Sequence, residues 1–111
     1  MTIKEAENYY VYVVNDKHAI CIDEYGVKID NDFNIEKHEG WNFKELELPE
    51  GQMVCVFLHD SSCDPWSSEY TEEYYLCMMN GHLGLYHTCD KWTYAPHLHA
   101  QFIDGKWVEE D

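Results

Sequence analysis

The chain has 111 residues, 45% of them hydrophobic, enough for one domain (1–111) with a single core and no obligatory staples. Twenty-two acids against seven lysines, with no arginine, give a formal net charge of −15. Such a surface repels nucleic acid and anionic membranes and attracts basic partners or cations. The missing arginines also remove the usual bidentate reader of phosphates and base edges, so neither direct nucleic-acid binding nor membrane association is expected. The plainest other use of the charge is solubility.

Five cysteines (Cys21, Cys55, Cys63, Cys77 and Cys89) form an odd set without a Cys-x-x-Cys pair. The opening residues MTIKEAEN lack the apolar run of a signal peptide, and no stretch approaches the ~20 apolar residues of a membrane span. A cytoplasmic location with free thiols is the expectation.

Taken in order, Thr2 and Glu5 have the spacing of a capping box, which predicts a short helix over 2–8. YYVYVV at 9–14 is apolar on both faces and reads as a central strand. A turn at 15–17 leads to a strand over 18–22 with Ile20 and Ile22 on one face and Cys21 on the other. Tyr25-Gly26 ends it, and 27–30 pairs back. The polar stretch 30–40 is anchored by Phe33 and Ile35. In 41–48 the apolar residues change phase, Trp41 and Phe43 against Leu46 and Leu48, which predicts a bulge near Lys44-Glu45. After a turn at 49–51, MVCVFLH at 53–59 reads as the most buried strand, and 60–68 as the longest irregular segment.

The firmest local signal is at 74–88. Two apolar, aromatic runs flank Asn80-Gly81, a pair that a type I′ turn favours because both central residues need positive φ. The register then sets Met78 opposite Leu83, Leu76 opposite Leu85 and Tyr74 opposite His87, all on a core face. Cys77, Gly84, Tyr75, Tyr86, Met79 and His82 lie on the other. Asp104-Gly105 closes a last hairpin in the same way. Its register places Leu98, Ala100, Phe102 and Trp107 on the core side, with His97 and His99 outward and His99 toward Glu110. The expected fold class is mainly β (or α+β with one short helix), a single antiparallel twisted sheet or partly closed barrel built from hairpins.

Three chemical patterns are incomplete. His87-x-Cys89 and His97-x-His99 each place two zinc-type donors on one strand, but the spaced knuckles of structural zinc sites are missing; a metal- or thiol-dependent enzyme on His87, Cys89, His97 and His99 is the alternative reading. No other cofactor is implied. Asp30-Asn31-Asp32-Phe33-Asn34 begins like a calcium loop, but the required Gly and Glu are replaced by Ile35 and Trp41. His59, Ser61, Ser62, Cys63 and Asp64 supply nucleophile, base and acid types without any nucleophile motif, so catalysis is not expected.

Recognition is the better-supported theme. Trp66, in a polar loop with Asp64, has little local core to join, and exposed aromatics in loops are common interface anchors. Carboxylates at i and i+2 of a strand, such as Glu45 and Glu47, recur every ~6.7 Å on one face, a negative spacing that imitates a phosphate backbone. The candidate partner-binding residues are Asp30, Asp32, Glu45, Glu47, Asp64, Trp66, Glu69, Tyr70, Glu72 and Glu73. In composition the chain is similar to small inhibitors encoded by phages and mobile elements, among them nucleic-acid mimics that block CRISPR, restriction or repair enzymes. That resemblance covers no motif. It implies a cytoplasmic, acidic, protein-binding inhibitor acting on a basic nucleic-acid-binding protein. A third reading is an oligomeric assembly protein that covers its second sheet face with another copy.

Overall fold

The computed structural model describes residues 1–23, 25–60, 71–88 and 96–110, with the backbone alone at 58–60 and 71–72. The described residues form β1 (Thr2–Ala6), β2 (Val11–Val14), β3 (His18–Asp23), β4 (Gly26–Asp30), β5 (Phe43–Glu47), β6 (Val54–Asp60), β7 (Thr71–Met79), β8 (His82–Thr88), β9 (His97–Ile103) and β10 (Lys106–Glu109). One 3-10 turn, Ile35–His38, interrupts the connection from β4 to β5. The mainly β, antiparallel, hairpin-built class expected from the sequence is the class observed. Where a single sheet was one expectation, the strands divide into two five-stranded sheets, β4-β3-β2-β1-β5 and β10-β9-β8-β7-β6, and neither closes into a barrel.

The second sheet is an up-and-down meander. In the first, the chain meanders from β1 to β4, then returns so that β5 lies beside β1, from Thr2↔Glu47 to Ala6↔Phe43. The sheets face each other across one core. Ile3, Tyr12, Val14, Ile20, Ile22 and Leu48 meet Val56, Phe57, Tyr74, Leu76, Leu83, Leu85, Ala100 and Trp107. Fully burying a Leu or Ile contributes ~1.5–3 kcal/mol, against ~0.2–1 kcal/mol for a cross-strand pair. Burial between the sheets, more than any one pairing, therefore holds them together. The Tyr12 hydroxyl donates to the Val56 carbonyl across this core at 2.7 Å.

Alternation explains which expectations hold. In β2, Tyr12 and Val14 face the second sheet while Val11 and Val13 face outward into a smaller apolar cluster, so the strand is buried on both sides as predicted. The turns at Asn80-Gly81 and Asp104-Gly105 are both type I′-like, with φ of 55° and 79° in the first and 53° and 80° in the second. The β7–β8 register runs from Met79↔His82 to Tyr74↔His87 as expected, and β9–β10 pairs Ile103 with Lys106 and Phe102 with Trp107.

Three expectations are corrected. Residues 2–6 form β1 rather than a helix, because Ile3 enters the inter-sheet core while Ala6 enters the outer cluster. Two-sided burial thus produces the i, i+3 spacing that resembles a helix. The phase change in 41–48 needs no bulge: β5 pairs with β1 without a register shift, and Leu46 and Leu48 pack inward while Trp41 and Phe43 pack outward. The 53–59 run is not the most buried strand. β6 is an edge, with Met53 and Cys55 exposed and a bulge between Cys55 and Phe57. The irregular segment predicted over 60–68 lies, apart from Asp60, outside the described residues.

Candidate protein-binding face

The outer face of the first sheet gathers aromatic and acidic side chains. Val11, Val13, Ala19, Ala6 and Phe33 form its buried base, and Cys21, Ile35, Trp41 and Phe43 pack against it. The connection over 31–42 covers this base because Phe33 and Ile35 anchor it, as the sequence implied. Its backbone is tied down where Phe33 N donates to Lys17 O at 2.8 Å and Glu7 N donates to Asn42 O at 3.0 Å.

Above the base lies a run of stacked rings. Phe33 and His38 are parallel with centroids 4.6 Å apart, and His38 meets Trp41 at 4.4 Å. Tyr9 then stacks on Trp41 at 4.1 Å, with the planes 10° apart. Although one of its faces is covered, Tyr9 remains 51% exposed. Asn42 Nδ2 donates to the Glu7 carboxylate, tying the end of β1 to the start of β5. From this end, Phe43, Glu45 and Glu47 follow one another on the outward side of β5, with successive side chains ~6.7 Å apart. The Thr2 hydroxyl donates to Glu47 at 2.6 Å and, with the Met1 ammonium 3.4 Å away, holds its carboxyl below the ordinary carboxylate range, so it stays ionised.

At the opposite edge of the sheet, the turn before β3 and the loop after β4 enclose a groove of about 480 Å³, lined by Asp16, Lys17, Phe33, Ile35 and the acids Asp32 and Glu36. Its shape comes from local capping. The Asp30 carboxylate accepts Asp32 N at 2.9 Å, and Asn34 Oδ1 accepts Glu36 N at 3.0 Å. Lys4 pairs with Asp16 at 2.6 Å, an exposed contact of ~0–1 kcal/mol.

Of the partner-binding residues inferred from sequence, Glu45 and Glu47 lie on β5, with Asp30 on β4 and Asp32 in the loop that follows it. The structure places these four at opposite edges of one outer face. The edges are about 19 Å apart, four strand spacings, with the aromatic run between them. Glu73 belongs to the second sheet, where its carboxylate accepts the Tyr75 hydroxyl. Glu72 contributes only a described backbone position in β7, and Asp64, Trp66, Glu69 and Tyr70 lie outside the described residues. Sequence reasoning missed Tyr9, Trp41, Asp16 and Glu36. The available signal was Trp41, out of phase with Leu46 and Leu48 and therefore committed to the other face.

The Cys/His alternative meets a different geometry. A register shift between Leu85↔Ala100 and Tyr86↔Leu98 inserts one extra residue, His99, into β9. This corrects the expected facing. Leu98 lies on the outer side near Gly84 and Tyr86, while the His99 ring stands edge-on to Tyr74 at 6.1 Å and His87 at 6.2 Å. His97 pairs with His87. Cys89 lies outside the described residues, and among those described no group of three or more His, Cys, Asp or Glu side chains could hold a metal. Burial pushes the Cys21, Cys55 and Cys77 thiols upward, away from the thiolate that nucleophilic chemistry requires.

No helix among the described residues is long and apolar enough to cross a membrane. Comparison with protein-family models, curated proteins and solved structures returns no match.

Proposed function

We propose that this protein is a small acidic inhibitor acting in the cytoplasm by protein–protein contact, a nucleic-acid mimic that occupies the basic surface of a nucleic-acid-binding host protein such as a CRISPR, restriction or repair enzyme. The observation that carries this reading is the line along β5, where a stacked Tyr9–Trp41 pair leads into Phe43, Glu45 and Glu47 on one exposed face. Carboxylates in a row engage a basic groove as phosphates do, and aromatic side chains supply the desolvated contacts that charge alone lacks. A net charge of −15 with no arginine favours such encounters and disfavours direct nucleic-acid binding.

Immobilised protein exposed to lysate of its host cells tests this. The captured partner should be a nucleic-acid-binding protein, should elute with added salt as screening predicts, and should be displaced by duplex DNA or structured RNA. A partner without nucleic-acid-binding activity, or one held equally at low and high salt, would overturn the proposal.

A further inference from the structure

We infer that Tyr9 and Trp41 form a stacking site for an arginine side chain of the partner, with the Tyr9 outer face as the contact surface. This deepens, and rests on, the reading of the chain as a ligand for a basic protein surface.

Tyr9 lies parallel to Trp41 at 4.1 Å, so Trp41 covers one side of the phenol ring, yet 51% of the residue remains accessible. Trp41 leaves the opposite π face uncovered. The ring behind it is held in place: Trp41 contacts His38 at 4.4 Å and Phe43 at 6.2 Å, and His38 stacks on Phe33, which is buried. Tyr9 thus presents a fixed, flat, electron-rich surface. Glu45 follows Phe43 on the same outward side of β5. A planar cation matches such a ring, because its whole face stacks on it while its in-plane donors keep their hydrogen bonds at the edge. Guanidinium has that form. A lysine ammonium is a compact, strongly hydrated point charge and satisfies only the electrostatic part. Charge complementarity thus selects a basic partner, and ring geometry selects arginine within it.

Calorimetric titration with two peptides of equal length and charge, one Arg-Gly-rich and the other with Lys at every Arg position, separates these contributions. The wild-type protein should bind the arginine peptide more tightly by roughly two- to fivefold, the range of one exposed cation–π contact. Tyr9→Phe should keep that preference. Tyr9→Ala and Tyr9→Leu should abolish it without changing the lysine peptide's affinity, the leucine variant preserving an apolar cover over Trp41. Glu45→Gln combined with Glu47→Gln should weaken both peptides alike. Equal wild-type affinity for the two peptides, or an arginine preference that survives Tyr9→Ala, would overturn this inference and leave the proposed function standing. Failure of the wild-type protein to bind either peptide at low salt would overturn both.

Discussion

The Asn31 side chain closes on the Trp107 backbone from both directions: Oδ1 accepts Trp107 N at 2.8 Å, and Nδ2 donates to Trp107 O at 3.1 Å. One amide side chain thereby acts as a strand partner for the outer edge of β10. It ties the loop after β4 to the second sheet, and it occupies polar groups that an exposed edge would offer to another chain. Asn31→Ala should lower the unfolding free energy by about 1–3 kcal/mol, the range for partly buried polar groups left unpaired. Asn31→Asp should recover only part of this, since a carboxylate can accept from the N–H but cannot donate to the carbonyl. Urea unfolding of the two variants measures both effects.

Gly84 permits the close packing on the outer side of the second sheet. A Cβ at this position would lie 2.8 Å from the Tyr86 ring and 3.2 Å from Leu98. Gly84→Ala should therefore destabilise by ~1–3 kcal/mol, an overpacking cost. In a Tyr86→Leu background the same substitution should cost less. A thermal-unfolding double-mutant cycle reads the coupling, and simple additivity would show that the ring is not the obstruction.

Glu73 accepts a hydrogen bond from Tyr75 and pushes the phenol up to about 12. The folded protein holds this proton more tightly than the unfolded chain, so the contribution is fully present below about pH 10, the ordinary tyrosine value. It is lost as pH rises toward about 12. Glu73→Gln should bring Tyr75 down toward the ordinary range, seen as an earlier phenolate absorbance step in a spectrophotometric titration.

Glu47 shows the opposite sign. Its carboxyl is lowered by the Thr2 hydroxyl, so it favours the folded state above the ordinary carboxylate range, and that contribution disappears as pH falls through the depressed value. Thr2→Ala should move the Glu47 carboxyl titration to higher pH in a carbon-detected NMR experiment. An unchanged midpoint would show that the hydroxyl contact is not formed in solution.

The two Gly-containing hairpins were legible because their turn chemistry is local: Asn80-Gly81 and Asp104-Gly105 dictate backbone signs, and the backbone signs dictate register. The central position of β2 was equally readable from its two apolar faces. Where the sequence misled, the cause was burial on a second side. Ile3 and Ala6 imitate helical spacing because a strand buries them in two different clusters, and Trp41 and Phe43 belong to an outer layer that no local pattern announces. The extra residue at His99 was not readable either, since a bulge is a compromise between neighbouring strands. For the candidate site, Glu45 and Glu47 could be found from alternation alone. The Tyr9–Trp41 stack could not, because it joins positions 32 residues apart through the return of β5 beside β1.

The division of strands between the sheets has a consequence for how the chain can be taken apart. Among the described residues, all five strands of one sheet precede the turn at Pro49-Glu50-Gly51, and all five of the other follow it, with no strand exchanged. Scission there would sever one covalent link while leaving every described strand ladder whole. The two fragments would each keep an oily side shaped to the other, which makes this turn the natural place to split the protein into a self-reassembling pair of reporters.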